Sequence, residues 1–209
     1  MRDMYNSPAM DFFTDMVFVV AGERTQDPET GQRDYTETIL YINPHLDEKT
    51  VNIGLYDDPS HSYLINSNPG SYASAETILR KIDSDYPGKI DMKAVLEMLR
   101  VFYTVAPGVR AIEDKVSLEM TDCENCGTNV DEFFMVLVPS AADTPLTEAS
   151  LNLHWEFGCF GGDAVNGVFS EVKDDAEQML RRMLPDADRE CKDGIKEALD
   201  ILKNFSATI

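Results

Sequence analysis

Hydrophobic and polar residues alternate in two segments that lie about one hundred residues apart. In the later segment, the apolar residues Leu151, Leu153 and Trp155 are separated by polar ones, and residues 51–55 alternate in the same way. A period of two residues is typical of a strand with one buried and one exposed face. Both segments are therefore predicted to be half-buried β-strands.

Two other patterns predict the remaining kinds of element. Residues 132–138 are almost continuously apolar, which favours a central strand covered on both faces. Near the C-terminus, Ile195, Leu199, Leu202 and Phe205 recur at helical spacing, which predicts an amphipathic helix.

The same elements recur as two copies in the same order. Four pairs of segments match, at offsets of 95, 100, 101 and 103 residues in chain order. Chance matches would not keep their order with slowly increasing offsets, whereas small loop insertions after a gene duplication would. We therefore predict an internal duplication, based on the pairs 37–44 with 132–139, 51–56 with 151–156, 75–82 with 176–183 and 93–102 with 196–205.

Each copy is predicted to be a ββββαα unit. Pro107-Gly108 marks the linker, expected over 104–114, so the first repeat spans 1–106 and the second 107–209. The first copy is expected to have strands at about 15–23, 34–43, 50–56 and 61–66, and helices at about 72–84 and 91–104. The second is expected to have strands at about 115–121, 130–138, 149–157 and 164–170, and helices at about 172–184 and 189–204.

The predicted fold class is α+β, with antiparallel meander sheets that are each covered on one face by two helices. The uncovered sheet faces would let the copies pair about a pseudo-two-fold axis, as the subunits of a homodimer do. The sequence is compatible with sheets joined edge to edge and with sheets packed face to face.

Charge is the extreme feature of the composition. The chain has 18 Lys and Arg against 38 Asp and Glu, a formal net charge of −20. Such a field repels nucleic acid and anionic membranes and attracts a protein partner with a basic surface. The longest apolar stretch, Met16 to Ala21, is too short to span a bilayer, and the N-terminal residues resemble no secretory signal, so a cytoplasmic location is expected.

Cysteine spacing gives the sharpest local motif. Cys123 and Cys126 are separated by two residues, a spacing that lets one tight turn hold a metal ion through both thiolates. Cys159 follows the predicted third strand of the second copy and would reach the same edge of the sheet. These three residues are the candidate ligands of a structural zinc, and Cys191 is an alternative ligand from the helices. Free thiols and a disulfide are the competing interpretations.

Other candidate residues give weaker signals. The glycine-rich segment 158–167 could cradle an anion, but it matches no phosphate-binding motif and is predicted to be a hairpin loop. The pair Asp57-Asp58 is interpreted as turn chemistry. His154 is expected on the solvent-facing side of its strand, and His45 and His61 follow Pro44 and Pro59 in contexts typical of turns.

No pattern in the sequence assembles a catalytic constellation. The first hypothesis is accordingly a non-enzymatic, acidic protein-binding module that engages a basic or nucleic-acid-binding protein, as an inhibitor, immunity-type protein, nucleic-acid mimic or chaperone-like adaptor does. The excess acid is concentrated in the second copy, which is expected to carry the binding face. An enzyme with a site between the repeats is the alternative. A structural subunit of a larger complex or viral particle, with possible oligomers, is the second alternative.

Overall fold

The computed structural model describes residues 7–26, 33–57, 62–116, 131–157, 161–185 and 189–209. The chain divides into two compact units. The first unit is continuous from Phe13 to Tyr103, and the second comprises Thr104–Ile209 together with Met1–Phe12. Within the described residues, no helix is both long and apolar enough to cross a membrane.

The first unit contains a four-stranded antiparallel sheet followed by two helices. The sheet has the strand order β1-β2-β3-β4. Its strands are β1 (Met16–Gln26), β2 (Arg33–His45), β3 (Thr50–Asp57) and β4 (Ser62–Ser67), and its helices are α2 (Tyr72–Asp85) and α3 (Met92–Val105).

The second unit repeats this order of elements and adds a short N-terminal helix, α1 (Pro8–Phe12). A single 3-10 turn at Ala106–Gly108 follows α3 and leads into the sheet of the second unit. This sheet has the strand order β5-β6-β7-β8. Its strands are β5 (Arg110–Val116), β6 (Asp131–Val138), β7 (Ser150–Phe157) and β8 (Gly161–Val168), and its helices are α4 (Phe169–Met183) and α5 (Arg189–Asn204). The α+β class is therefore confirmed.

One face of the second sheet and its two helices form a continuous apolar core. Alternate residues of β6 and β7 supply the strand side of this core, as the two-residue period requires. The helices supply residues three or four positions apart, which lie on one helical face. The fully buried members include Met135, Leu137, Leu151, Leu153, Ala176, Leu180 and Ala198.

The first unit buries the same kinds of position. Alternate residues Leu40 and Ile42 of β2 and Val51 and Ile53 of β3 are fully buried. Helices α2 and α3 bury a further set, which includes Ala75, Leu79, Val95, Leu99 and Phe102.

The end of α3 is fixed by an aromatic contact and a hydrogen bond. The ring of Phe102 packs edge-on against Phe13, with centroids 5.8 Å apart. The adjacent Tyr103 hydroxyl donates a hydrogen bond to the Pro69 carbonyl. Burial raises the pKa of Tyr103 above its ordinary value of 10.0, because the phenolate would lose hydration there.

Several predicted boundaries were wrong in the second unit. Strand β5 begins at Arg110, five residues before the predicted start, because the 3-10 turn absorbs Pro107 and Gly108 and leaves almost no linker. Strand β8 begins at Gly161 and α4 at Phe169, each three residues before its predicted start. Helix α1 was not predicted, because five residues are too few for helical periodicity to be visible.

The matched sequence segments occupy equivalent elements of the two units. They fall on β2 and β6, β3 and β7, α2 and α4, and α3 and α5. The strand register adds a difference that the sequence did not indicate. In the first sheet, Ile42 pairs with Ile53. The residues that match them in sequence are Leu137 and Leu153, but in the second sheet Leu137 pairs with Leu151, two residues before Leu153. An even shift keeps every side chain on its own face, so both cores are preserved.

Candidate functional site

The three predicted zinc ligands lie outside the described residues. Cys123, Cys126 and Cys159 all fall in the undescribed intervals, and Cys191 lies on α5. Within the described part of the chain, no three His, Cys, Asp or Glu side chains are grouped as metal ligands are. The zinc site stays a prediction.

The predicted exposure of His154 was wrong. The side chain is only 6% exposed, and its register partners on β6 and β8 are Phe134 and Ala164. The cause is that β7 is covered on both faces, since Asn152 and Val136, which lie on the same face of the sheet as His154, are also buried.

The other two histidines lie elsewhere. His45 is the last residue of β2, in the first unit, and His61 lies outside the described residues.

The glycine-rich segment is for the most part a strand rather than the predicted hairpin loop. Residues 161–167 pair with β7 within β8, so this part of the segment is an extended strand and not the loop that an anion cradle would need. Asp57 ends β3 and accepts a hydrogen bond from the Thr38 hydroxyl at 3.2 Å. Its neighbour Asp58 lies outside the described residues.

Asn152 is an unusual buried polar residue on β7. It is 3% exposed, and neither its Oδ1 nor its Nδ2 atom has a hydrogen-bond partner among the described residues. Burial of an amide without a partner costs free energy, because the hydrogen bonds to water are not replaced. Its register partners are Val136 on β6 and Asn166 on β8, so an apolar side chain stands on one side of it and an amide on the other.

Asn152→Val is therefore expected to raise the free energy of unfolding by about 1 kcal/mol. Denaturant titration followed by tryptophan fluorescence measures the change, because Trp155 packs against the core of the second unit. The matched control is Asn52→Val, at the equivalent but half-exposed position of β3, where a change below about 0.5 kcal/mol is expected. A loss of stability in Asn152→Val would show that the amide satisfies a buried polar partner.

The second unit has a groove of about 740 Å³ beside α5. One wall is the C-terminal segment, which is hydrogen-bonded to Ser140, two residues after the end of β6. The Ser140 amide donates to the Ala207 carbonyl at 2.9 Å, and the Ile209 amide donates to the Ser140 carbonyl at 3.0 Å. Gly108 also lines the groove. A Cβ atom there would lie 2.9 Å from Pro139 Cγ and 3.0 Å from Ile209 Cδ1, so a glycine permits this close approach.

The floor of the groove is apolar and is attached to the core. Ile201, Phe205 and Ile209 contribute to the lining. The Phe205 ring packs edge-on against Phe169, the first residue of α4, with centroids 5.1 Å apart. Ile209, which belongs to the C-terminal wall, is 54% exposed, so the apolar part of the lining is accessible to an apolar side chain from outside. The groove can therefore bury an apolar group against residues that pack on the core.

The rim of the groove is predominantly acidic. Asp193, Glu197 and Asp200 are spaced four and three residues apart on α5 and lie on one face of the helix. Lys196 pairs with Asp193 at 2.9 Å, an exposed pair that contributes little net energy. The carboxylates of Glu197 and Asp200 have no ion-pair partner among the described residues, and so are available to an incoming cation.

Arg110 is the second basic group of the lining. Its Nη1 atom donates to the Val109 carbonyl at 3.0 Å and to the Pro107 carbonyl at 3.3 Å. The guanidinium is thus held against its own backbone at one end of the groove. The described residues that line this groove include neither His nor Cys.

Sequence reasoning did not identify this groove. The signal was present in part, since the acid stripe of α5 and the apolar positions Ile201 and Phe205 can be read from helical spacing. The missing part was the position of the C-terminal segment, because its pairing with Ser140 joins residues that are far apart in sequence.

No protein-family model matches the chain, and comparisons with curated proteins and with solved structures yield no significant match.

Proposed function

We propose that the protein is a non-enzymatic binding module whose α5 groove receives a basic, amphipathic segment of a partner protein. The observation that carries this proposal is the combination of an apolar floor with an acidic rim in one groove. An apolar side chain of the partner would be buried on Ile201, Phe205 and Ile209, and its flanking Lys or Arg residues would meet Glu197 and Asp200.

The charge of the whole chain supports the same class of partner. A net charge of −20 steers basic molecules towards the protein and repels anionic ones before contact. The second copy, from residue 111 onward, has 21 of the 38 acids and 8 of the 18 bases. The groove therefore lies in the more acidic part of the chain, which is where the partner would be attracted.

We also propose that the two units arose by duplication and that only one of them acquired the groove. Matched positions have matched burial, which supports common descent: Ala75 and Ala176 are fully buried, as are Leu79 and Leu180. In the first unit, Phe102, the match of Phe205, is fully buried instead of half-exposed. The partly exposed apolar lining of the groove is accordingly a property of the second unit.

Three short synthetic peptides test the proposed chemistry by fluorescence anisotropy at low salt. One combines Lys and Leu at helical spacing, one contains Lys without apolar residues, and one combines Glu and Leu. We expect saturable binding of the Lys/Leu peptide, at least tenfold weaker binding of the Lys peptide, and no binding of the Glu/Leu peptide. Equal binding of both Lys-containing peptides would contradict a role for the apolar floor, and no saturable binding at all would reject the proposal.

A further inference from the structure

Arg110 stands on the side of the second sheet that faces its helices. It pairs across the strands with Leu137, which is fully buried in the core of that unit. Ile112, two residues further along β5, belongs to the same core. Cross-strand partners point to one face, so the Arg110 side chain leaves β5 on the face that α5 covers. Arg110 is the first residue of an edge strand, and there it is exposed and lines the α5 groove.

The guanidinium of Arg110 is held through only one of its three nitrogen atoms. Nη1 donates to the carbonyls of Val109 and Pro107, and these two bonds restrict the orientation of the group. Nε and Nη2 have no acceptor among the described residues. These two atoms form one edge of the planar group, and that edge is therefore left open to the groove.

The same edge binds a carboxylate in other arginines of this chain. Arg80, Arg100 and Arg181 each direct Nε and Nη2 at a glutamate on their own helix, with N–O distances between 2.6 and 2.9 Å. A carboxylate bound through both nitrogens is held more firmly and in a more defined direction than by a single hydrogen bond. The open edge of Arg110 is thus suited to a carboxylate that comes from outside the chain.

Charges of opposite sign lie on different elements around the groove. Helix α5 contributes the carboxylates of Glu197 and Asp200, together with the pair of Lys196 and Asp193. The rest of the described lining comes from the 3-10 turn, β5 and the C-terminal segment, and Arg110 is its single charged side chain. Glu197 and Asp200 form no ion pair with Arg110, so both signs of charge remain available to a ligand.

We propose that Arg110 binds an acidic side chain, Asp or Glu, of the partner segment and so determines which way this segment lies in the groove. This inference rests on the proposed function. An amphipathic helix that buries its apolar stripe in the groove has one flank along α5 and the other along β5 and the C-terminal segment. Basic residues on the first flank meet Glu197 and Asp200, and an acidic residue on the second meets Arg110. The reversed helix would bring like charges together on both flanks, which disfavours it.

Fluorescence anisotropy with pairs of amidated peptides tests this proposal. Each pair is the Lys/Leu peptide with either Glu or Gln at one position of one flank, and three pairs place this residue one helical turn apart. The net charge of −20 alone would favour the Gln peptide in every pair, because Glu adds a carboxylate that this field repels. We expect the opposite order in at least one pair, with the Glu peptide bound about fivefold more tightly at low salt.

Arg110→Met removes the charge and the donors but keeps a side chain of similar reach. We expect this variant to bind the Glu peptide of that pair at least fivefold more weakly than the parent protein does, and the Gln peptide no more weakly. Arg182→Met is the matched control, because Arg182 is exposed on α4 and does not line the groove, so the preference for Glu should stay within twofold. Far-UV circular dichroism verifies that each variant is folded.

Four results would overturn the proposal. If Arg110 only supported the turn before β5, its loss would weaken the Glu and Gln peptides equally. Gln peptides bound at least as tightly as Glu peptides in all pairs would leave the groove as a binding site but without this role for Arg110. A Gln peptide with a free C-terminal carboxylate that alone depends on Arg110 would assign the arginine to a chain terminus instead. No saturable binding of any peptide would reject the proposed function together with this inference.

Discussion

Replacing Leu180 with alanine is expected to lower the free energy of unfolding by about 3 kcal/mol, because the side chain is fully buried in the core of the second unit. Removal of its methyl groups loses their transfer free energy and leaves a cavity among closely packed neighbours. The chain has one tryptophan, Trp155, which packs against this same core. Denaturant unfolding monitored by tryptophan fluorescence therefore reports directly on the unit that carries the substitution.

The same experiment examines the equivalence of the two units. Leu79 occupies the matched position on α2 and is also fully buried, so Leu79→Ala should cost about 3 kcal/mol as well, measured by far-UV circular dichroism. Leu64→Ala is the control for the chemical change itself, since that leucine is exposed, and we expect a loss below about 0.5 kcal/mol. A cost below about 1 kcal/mol at either buried leucine would contradict the tightly packed environment assigned to it.

The double substitution Glu197→Lys and Asp200→Lys is expected to weaken binding of the Lys/Leu peptide about 30-fold at low salt, equivalent to about 2 kcal/mol. Each reversal replaces one attraction at the groove rim with one repulsion. The effect should diminish as salt rises, because the carboxylates are exposed and their interactions are screened. Anisotropy titrations of the variant at two salt concentrations measure both results.

A matched control separates the groove from the overall field of the protein. Asp174→Lys and Asp175→Lys produce the same change in net charge on α4, where both residues are exposed and neither lines the groove. This variant should bind the peptide within about threefold of the parent protein, through a reduced rate of association. If both double variants lose the same affinity, the peptide is attracted by the general field and the groove is not its site.

The alternation of residues predicted the strands of both sheets well where one face enters the core. Val51 and Ile53 of β3 were recognised in this way, and the apolar run in β6 correctly indicated a strand buried on both faces. The prediction failed for His154, because a polar residue in an alternating strand suggests solvent, whereas its burial depends on what covers the second face. Such cover comes from residues distant in sequence, which a local pattern does not record.

The groove shows the same division between local and distant information. Helical spacing predicts that Asp193 and Glu197 share a face of α5, so half of the site was within reach of the sequence. The other half depends on the approach of Ile209 to Gly108 and on the pairing of Ser140 with Thr208, which joins segments 68 residues apart. No period or motif in the chain marks that pairing.

The short helix α1 has a consequence for the order of folding during synthesis. It belongs to the second unit, since the buried amide of Ala9 donates to the Ser150 hydroxyl at 3.2 Å, a contact between residues 141 positions apart. The first unit is continuous in sequence and is translated in full between these two residues. On the ribosome, the first unit can thus complete its core early, while α1, which emerges before that unit, waits for β7 before it is buried.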